Sequence, residues 1–294
     1  MQISDIKSSA WDSTASEYAK LPIQGPILIP CKRMIETMHN RVSFSSATAI
    51  LDIGCGPGTA ISLLIDDHGK DIPPEARMVA TDYSEGMVAA TRAKKDSKVA
   101  SNGDPSNCWS RLETLVMDAQ DLSGFPSHSV SHIMGSLVYF MLPDPRKGLR
   151  EAHRVLQPGG VFACTSWAKV EWMELLVRAA HKVRPDNNGS PGSTGTRGPN
   201  LTPAQWKDAA GVKGEMESSG FRDVQTEEVE FNWVPEDRRK FADMMCTSSN
   251  PATEMLLGDL TGEEQNQVRE EYMRILQENG NVCKGIAVLG VGRK

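Results

Sequence analysis

The chain has no surplus of positive charge and no long apolar run. Its 294 residues carry 32 Lys and Arg against 38 Asp and Glu, a formal net charge of -6 with a pI near 5.6. A nucleic-acid binder needs basic groups that displace counterions from phosphates, so we expect no nucleic-acid partner. The most apolar run, residues 133–142, is too short to span a bilayer, and no basic run marks a membrane surface. We therefore expect no membrane partner.

Cysteines are few, and no two of them have the spacing of a paired motif. The six lie at positions 31, 55, 108, 164, 246 and 283, and none forms a Cys-x-x-Cys pair. This favours neither a zinc site nor a disulfide framework, so we predict no metal. Residues 1–20 are polar and contain acidic side chains, unlike a signal peptide, so we expect a reduced, cytoplasmic protein.

The stretch that organises the chain is residues 49–59, Ala-Ile-Leu-Asp-Ile-Gly-Cys-Gly-Pro-Gly-Thr. Its apolar start predicts a strand buried on both faces, and residues 60–65 are apolar at helical spacing. Three glycines between the strand and the helix let the backbone approach a ligand and leave N–H groups free to face it. The stretch predicts a nucleotide-binding corner, although glycine-rich loops also occur as plain turns.

The spacing of the glycines excludes two common nucleotide sites. A dinucleotide fingerprint needs Gly or Ala where this chain has Thr59, and a phosphate-binding P-loop needs Gly-Lys followed by Ser or Thr. The Asp-x-Gly-x-Gly-x-Gly form of residues 52–58 resembles the first motif of class I S-adenosylmethionine (SAM) methyltransferases. In that family the loop surrounds the amino-acid end of SAM. The resemblance implies SAM as the cofactor, bound here by Asp52, Gly54, Cys55 and Gly56.

Two further acids follow predicted strands. Asp82 ends the apolar run 77–82, where a carboxylate can accept hydrogen bonds from both ribose hydroxyls; its alternative role is a helix N-cap. Asp118 follows the predicted strand 112–117, in a segment that resembles the one with which the family reads the adenine edge. The cofactor-binding residues implied on this side are Asp82, Tyr83, Met87, Asp118, Ala119 and, within the fourth strand, Ser136.

Strand and helix patterns alternate from residue 46 to residue 170, and the Arg-Val-Leu-Gln-Pro-Gly-Gly sequence at 154–160 closely resembles a turn typical of the family. The resemblance implies a Rossmann-like α/β domain over residues 46–294. Its sheet would be mainly parallel and seven-stranded, with the last strand antiparallel. The predicted strands are residues 49–53, 77–82, 112–117, 130–138, 161–166, 221–233 and 286–292. Later helices are predicted at 167–183, 204–220, 236–245 and 261–278, with polar loops at 96–107 and 185–203, the second of them mobile.

Residues 1–45 precede the glycine turn and predict two helices, one carrying Trp11 and Tyr18 and one over residues 27–38. Two helices cannot bury themselves alone, so they must lie across the sheet or over the mouth of the cofactor site. Many small-molecule methyltransferases resemble this arrangement, in which the N-terminal segment forms a lid over SAM. We therefore expect Tyr18 at the cofactor, although both aromatic side chains equally suit anchors to the core. An insertion over residues 167–220 is expected to act as a substrate cap.

The implied reaction is direct methyl transfer to a small, largely apolar metabolite, as in methyltransferases of specialised metabolism. No catalytic base is visible: the chain has neither the Asn-Pro-Pro-aromatic motif of amide or base N-methylation nor a catechol-type metal set. Catalysis would therefore rest on positioning. The residues predicted to bind the acceptor are Trp11, Tyr139, Trp167 and Trp172, whose alternative is a place in the core.

Two other classes remain open at this point. The chain could bind SAM as a regulator or scaffold, because nothing in the cofactor motifs separates binding from turnover. It could also use the positive charge of SAM to promote a rearrangement without methylation. A protein acceptor is less expected, because the inferred cleft is covered.

Overall fold

The computed structural model describes residues 6–20, 25–102, 107–185, 202–247 and 251–294, with backbone alone at 16–20, 102 and 247. Its sheet has seven strands in the order β3-β2-β1-β4-β5-β7-β6. The strands are β1 (Ala49–Ile53), β2 (Arg77–Asp82), β3 (Leu112–Val116), β4 (Val130–Ser136), β5 (Leu156–Val170), β6 (Arg222–Trp233) and β7 (Cys283–Arg293). Neighbouring strands among β1 to β5 pair in parallel, and β7 pairs antiparallel with both β5 and β6. The predicted fold class is confirmed.

Helices lie on both faces of this sheet and beside it. They are α1 (Ser8–Lys20), α2 (Leu28–Arg41), α3 (Thr59–His68), α4 (Glu85–Asn102), α5 (Cys108–Arg111), α6 (Pro145–Val155), α7 (Glu171–Val183), α8 (Ala209–Ser218), α9 (Arg238–Thr247), α10 (Pro251–Leu257) and α11 (Gly262–Glu278). Successive side chains of a strand point to opposite faces, so Ile50 joins one core cluster and Leu51 joins the other. Strand β1 is buried along its whole length, as its apolar composition predicts.

A third apolar cluster lies beside the sheet, where α7 packs against α10 and α11, and α9 packs against α11. The last three helices lie between β6 and β7 in the chain, outside the predicted insertion 167–220. Helix α8, inside that insertion, instead packs on the sheet, with Val212 and Met216 against Gly290. The limits of a lid at 1–45 and a cap at 167–220 stay predictions.

Several predicted boundaries are wrong. Strand β5 runs through the expected turn at 157–160 and on to Val170, so Trp167 lies in a strand and not at a helix start. Pairing with β7 extends β5 in this way, because Trp167 lies opposite Ala287. Helix α4 continues through residues 96–102, which were expected in a loop, and α10 was not predicted. Most of the loop predicted at 185–203 lies outside the described residues.

None of the helices in the described part of the chain combines the length and the apolar character needed to cross a membrane.

Candidate functional site

The turn after β1 is closed on one side and open on the other. Gly54 and Gly56 have φ angles of 62° and 53°, a left-handed conformation that glycine adopts without strain. A Cβ built at Gly54 would lie 2.3 Å from the nearest methyl carbon of Val138, so no larger residue fits there. A Cβ built at Gly56 would meet nothing within 4 Å. The backbone at Gly56 can therefore be approached by a ligand.

Asp82 joins this turn to the loop that follows β2. Its Oδ2 accepts a hydrogen bond from the backbone N–H of Gly56 at 2.9 Å, and its Oδ1 accepts one from the N–H of Ser84 at 2.9 Å. Burial raises the pKa of Asp82, and these backbone N–H groups oppose the shift. The N-cap of α4 is Ser84, whose hydroxyl accepts from the N–H of Met87 at 3.1 Å. The alternative role predicted for Asp82, a helix N-cap, therefore belongs to Ser84.

Asp52 has a buried carboxyl group, and one of its two oxygens accepts no hydrogen bond in the described structure. It is 1% exposed, and its Oδ2 accepts from the N–H of Ile61 at 3.2 Å, in the first turn of α3. Its Oδ1 has no hydrogen-bond partner within the described structure. Burial raises the pKa of Asp52 to about 8, with a smaller contribution from the charge of Asp82. A buried acceptor without a donor suits a ligand that carries positive charge.

Acidic groups also surround Tyr83, which is 39% exposed. Its pKa is raised first by partial burial and then by the carboxylates of Asp82, Asp12 and Asp118. Asp118 is exposed, and its Oδ1 accepts from the N–H of Gln120 at 2.8 Å. Together these carboxylates make a site of negative potential, which favours a cationic small molecule over an anionic one.

Comparisons with known proteins agree with this geometry. A family profile described as a methyltransferase domain matches residues 51–164, the part of the chain that carries the glycine turn and the three acids. The chain is 28% identical over 290 residues to methyltransferase ucsB of an Acremonium species, covering 97% of this chain and 95% of the relative. These likenesses support a class I SAM-dependent methyltransferase.

Two further likenesses are more partial. Methyltransferase tpcH of Aspergillus fumigatus is 29% identical over 184 residues, which is 62% of this chain and 60% of that protein. Phosphoethanolamine N-methyltransferase 2 of Haemonchus contortus, solved in complex with SAM, matches with a TM-score of 0.53 at 14% identity, over 100% of this chain and 60% of that one. This second likeness shows the fold. The cofactor of this methyltransferase is SAM, and its reaction is methyl transfer to a small molecule.

The last residue of β4, Ser136, pairs with Thr165 of β5, and the chain that follows β4 contacts the glycine turn. Ser136 Oγ lies 3.2 Å from Thr165 Oγ1 and 3.1 Å from Cys31 Sγ, which ties α2 to both strands. Leu137 has a φ of 59°, an uncommon and strained value for leucine, and its N–H donates to Thr165 Oγ1 at 3.0 Å. Strain of this kind concentrates at functional sites, and here the next residue, Val138, packs against Gly54.

The four residues predicted to bind the acceptor do not lie together, because the structure places them in three different regions. Trp167 is half-buried and contacts both the sheet core and the third cluster, and its ring meets Trp172 edge-on at 5.4 Å. Tyr139 is fully buried in the sheet core, stacked on Trp206 at 6.5 Å, with its hydroxyl unpartnered in the described structure. Trp11 shares a side-chain hydrogen bond with Tyr83, so the structure places it beside the loop after β2.

The remaining predicted cofactor residues lie as follows. Cys55 is buried, and its backbone N–H donates to the carbonyl oxygen of Thr81 at 2.9 Å. The side chains of Met87 and Ala119 are also buried. The side chain of Tyr18 lies outside the described residues. Sequence reasoning missed Asp12, whose Oδ1 accepts from Ser84 Oγ at 2.6 Å. No local pattern pairs two residues so far apart in the chain.

Proposed function

We propose that this methyltransferase transfers the methyl group of SAM to a small, largely apolar metabolite at the carboxyl ends of β4 and β5. The observation that carries the proposal is the arrangement of Gly56, Asp82 and Asp52 at one turn. Gly56 leaves its backbone open, Asp82 holds the turn in place, and Asp52 keeps an unpartnered oxygen. The residues we propose to hold the cofactor are Tyr18, Asp52, Gly54, Cys55, Gly56, Asp82, Tyr83, Met87, Asp118, Ala119 and Ser136.

The charge of the site supports this assignment. Asp82 accepts a hydrogen bond from the glycine turn, the carboxylate of Asp118 acts on neighbouring Tyr83, and Asp52 keeps an unpartnered oxygen. When bound, SAM supplies a methyl group already activated by its sulfonium charge. The chain itself binds and orients the cofactor. Its acidic side chains favour the positively charged form of that ligand, and the glycine turn lets the backbone come close to it.

For the acceptor we propose a site beside Trp167. The pairing of β5 with β7 shifts register directly after Trp167, between Trp167 and Lys169. The indole of Trp167 is half-buried where two apolar clusters meet, so its exposed part can contact an apolar acceptor. Trp172, at 7% exposure, supports that wall from behind. An apolar, aromatic-lined site of this kind fits a specialised metabolite better than a charged polymer.

The mechanism needs only modest chemistry from the protein. In the described part of the chain, Ser136 contacts Cys31 and Thr165, and the rings that meet Trp167 are those of Trp172 and Phe231. None of these groups suits a general base, so the chain's task is to hold the acceptor in line with the methyl group. Positioning of this kind supplies roughly 7–11 kcal/mol of the barrier reduction in favourable cases. An apolar wall excludes water and disfavours a concentrated charge, which assists a reaction that disperses one.

Location and partners belong to the same proposal. The six cysteines are all free and buried, which supports a reducing compartment such as the cytoplasm. The net charge of -6 gives no basic surface for a nucleic-acid acceptor.

An acceptor screen with methyl-labelled SAM tests the proposal. We expect S-adenosylhomocysteine to form with small aromatic or aliphatic acceptors, and label to appear in the product. Polynucleotides and unfolded proteins are the comparison acceptors. Label found in either of those, or SAM consumed without label in any acceptor, would contradict the proposed function.

A further inference from the structure

Helix α1 is attached to the start of α4 by one carboxylate. Oδ1 of Asp12 accepts hydrogen bonds from Ser84 Oγ at 2.6 Å and from the N–H of Gly86 at 2.9 Å. These bonds lower the pKa of Asp12, Ser84 contributing most. Bonds to a charged acceptor are stronger than neutral ones, and the N-terminus of a helix favours a negative charge. Asp12 therefore acts as a second cap on α4, supplied from another part of the chain.

Two other features hold α1 at the same place. Tyr83 donates its hydroxyl hydrogen to the carbonyl of Ile6 at 3.2 Å, and it shares a side-chain hydrogen bond with Trp11. The two helices also approach closely. A Cβ built at Gly86 would lie 3.0 Å from both Cα and the carbonyl oxygen of Asp12. Glycine at this position is what lets α1 lie against α4.

Ser84 connects this attachment to the glycine turn. The side chain of Ser84 is fully buried and donates to Asp12, while its backbone N–H donates to Oδ1 of Asp82. The other oxygen of Asp82 accepts from the N–H of Gly56. A continuous set of hydrogen bonds thus runs from α1 through the loop after β2 to the turn after β1. Docking of α1 and the shape of the cofactor site depend on the same groups.

We propose that Asp12 is a positioning residue that latches α1 onto residues 84–86 and thereby slows the release of SAM. The inference rests on the proposed function, because it takes the cofactor to lie between the glycine turn and Tyr83. A ligand covered by a docked segment leaves only while that segment is undocked, so its release rate rises with the undocked fraction of the complex. Loss of the latch lowers the fraction with α1 docked, so SAM leaves more readily while its encounter with the site is little changed.

The test measures SAM dissociation from the full-length chain by stopped-flow displacement with excess S-adenosylhomocysteine. Asp12→Ala removes the acceptor of both bonds, and we expect dissociation about tenfold faster with a nearly unchanged association rate. Glu36→Ala is the matched control, because it removes an exposed carboxylate of α2 that pairs with Arg33 at 3.7 Å. The control should release SAM at the wild-type rate.

The Gly86→Ala variant distinguishes weaker docking of α1 from a general loss of protein stability as the cause of faster SAM release. Alanine is the better residue inside a helix, so α4 itself should be at least as stable as before. The added methyl group would displace the backbone of Asp12 by a few tenths of an ångström and weaken the docking of α1. We therefore expect faster SAM release with an unchanged or higher melting temperature of the SAM-free protein, a combination that simple destabilisation does not produce.

Hydrogen exchange gives the direct readout of docking. SAM should slow amide exchange in α1 of the wild type, and it should do so less in both variants. If both variants release SAM at the wild-type rate, or if exchange in α1 is independent of SAM, the latch is overturned. If the wild type itself binds no SAM, the proposed function fails first, so the two failures can be told apart.

Discussion

The backbone N–H of Gly56 donates to Oδ2 of Asp82 at 2.9 Å, so one carboxylate joins the turn after β1 to the loop after β2. Asp82 is 7% exposed, and its second oxygen holds the N–H of Ser84. A buried carboxylate with both oxygens bonded to backbone groups positions those groups more rigidly than water could. The acid expected to bind a ribose therefore also sets the shape of the turn that faces the cofactor.

Asp82→Ala is expected to weaken SAM binding strongly. The change removes charged hydrogen bonds worth about 1.5–3 kcal/mol, which corresponds to roughly a 10- to 150-fold rise in Kd. Calorimetric titration with SAM measures the effect, and circular dichroism shows whether the variant is folded. Asp66→Ala removes an exposed carboxylate of α3, paired with Lys98 at 2.9 Å, and should bind SAM normally. A folded Asp82→Ala protein with unchanged affinity for SAM would contradict the assignment of Asp82 to the cofactor site.

Asp52 should make the stability of the SAM-free protein depend on pH. Burial raises its pKa from 3.8 to about 8, so the folded protein binds more protons than the unfolded chain between those values. The stabilisation is present at low pH and is lost as pH rises through this window, by at most about 1.4 kcal/mol per pH unit. Chemical denaturation at a series of pH values would show the slope. Asp52→Asn should flatten it, and an equal slope in that variant would show that Asp52 does not titrate there.

Trp167→Ala should lower turnover while sparing the cofactor. The half-buried indole is proposed to form one wall of the acceptor site, so its loss lets the acceptor move away from the methyl group. Misplacement of this kind costs roughly tenfold to a hundredfold in kcat/KM. Steady-state kinetics on the best acceptor and SAM titration separate the two effects. Trp167→Phe keeps an aromatic wall and should recover most of the activity, whereas full activity in Trp167→Ala would remove Trp167 from the site.

Tyr139 was predicted either to bind the acceptor or to belong to the core, and the Tyr139→Phe variant distinguishes these two roles. The hydroxyl of Tyr139 is buried and unpartnered in the described structure, so its removal should leave the melting temperature unchanged or higher. Burial also raises the pKa of this phenol well above its ordinary value, so it cannot serve as an anionic base. Thermal unfolding and acceptor kinetics on the variant provide the check. A fall in kcat/KM at an unchanged melting temperature would show that the hydroxyl reaches the acceptor.

Local patterns were sufficient for the half of the fold that carries the cofactor site. The five residues of β1 and the six of β2 lie where they were predicted, since each is a short apolar run that ends at a turn or an acid. Asp82 and Asp118 follow from the rule that ligands bind at the carboxyl ends of parallel strands.

Long-range pairing explains what the sequence could not show. Trp167 lies in β5 because Ala287, far along the chain, pairs with it. The helices that pack on α7 come from the segment between β6 and β7, and no pattern within either segment reveals that contact. Asp12 meets Ser84 only because α1 packs against α4 in the folded chain. Contacts of this kind depend on tertiary structure and produce no local sequence pattern from which they could be predicted.

Transfer of the labelled methyl group is the measurement that tests the account most directly. The purified chain is incubated with methyl-labelled SAM and the best small acceptor, and both products are quantified by mass spectrometry. The account predicts one labelled product molecule for each S-adenosylhomocysteine formed, and loss of both in Asp82→Ala at SAM concentrations that saturate only the wild type. Bound SAM that stays intact while the acceptor rearranges without label, or is left unchanged, would contradict it.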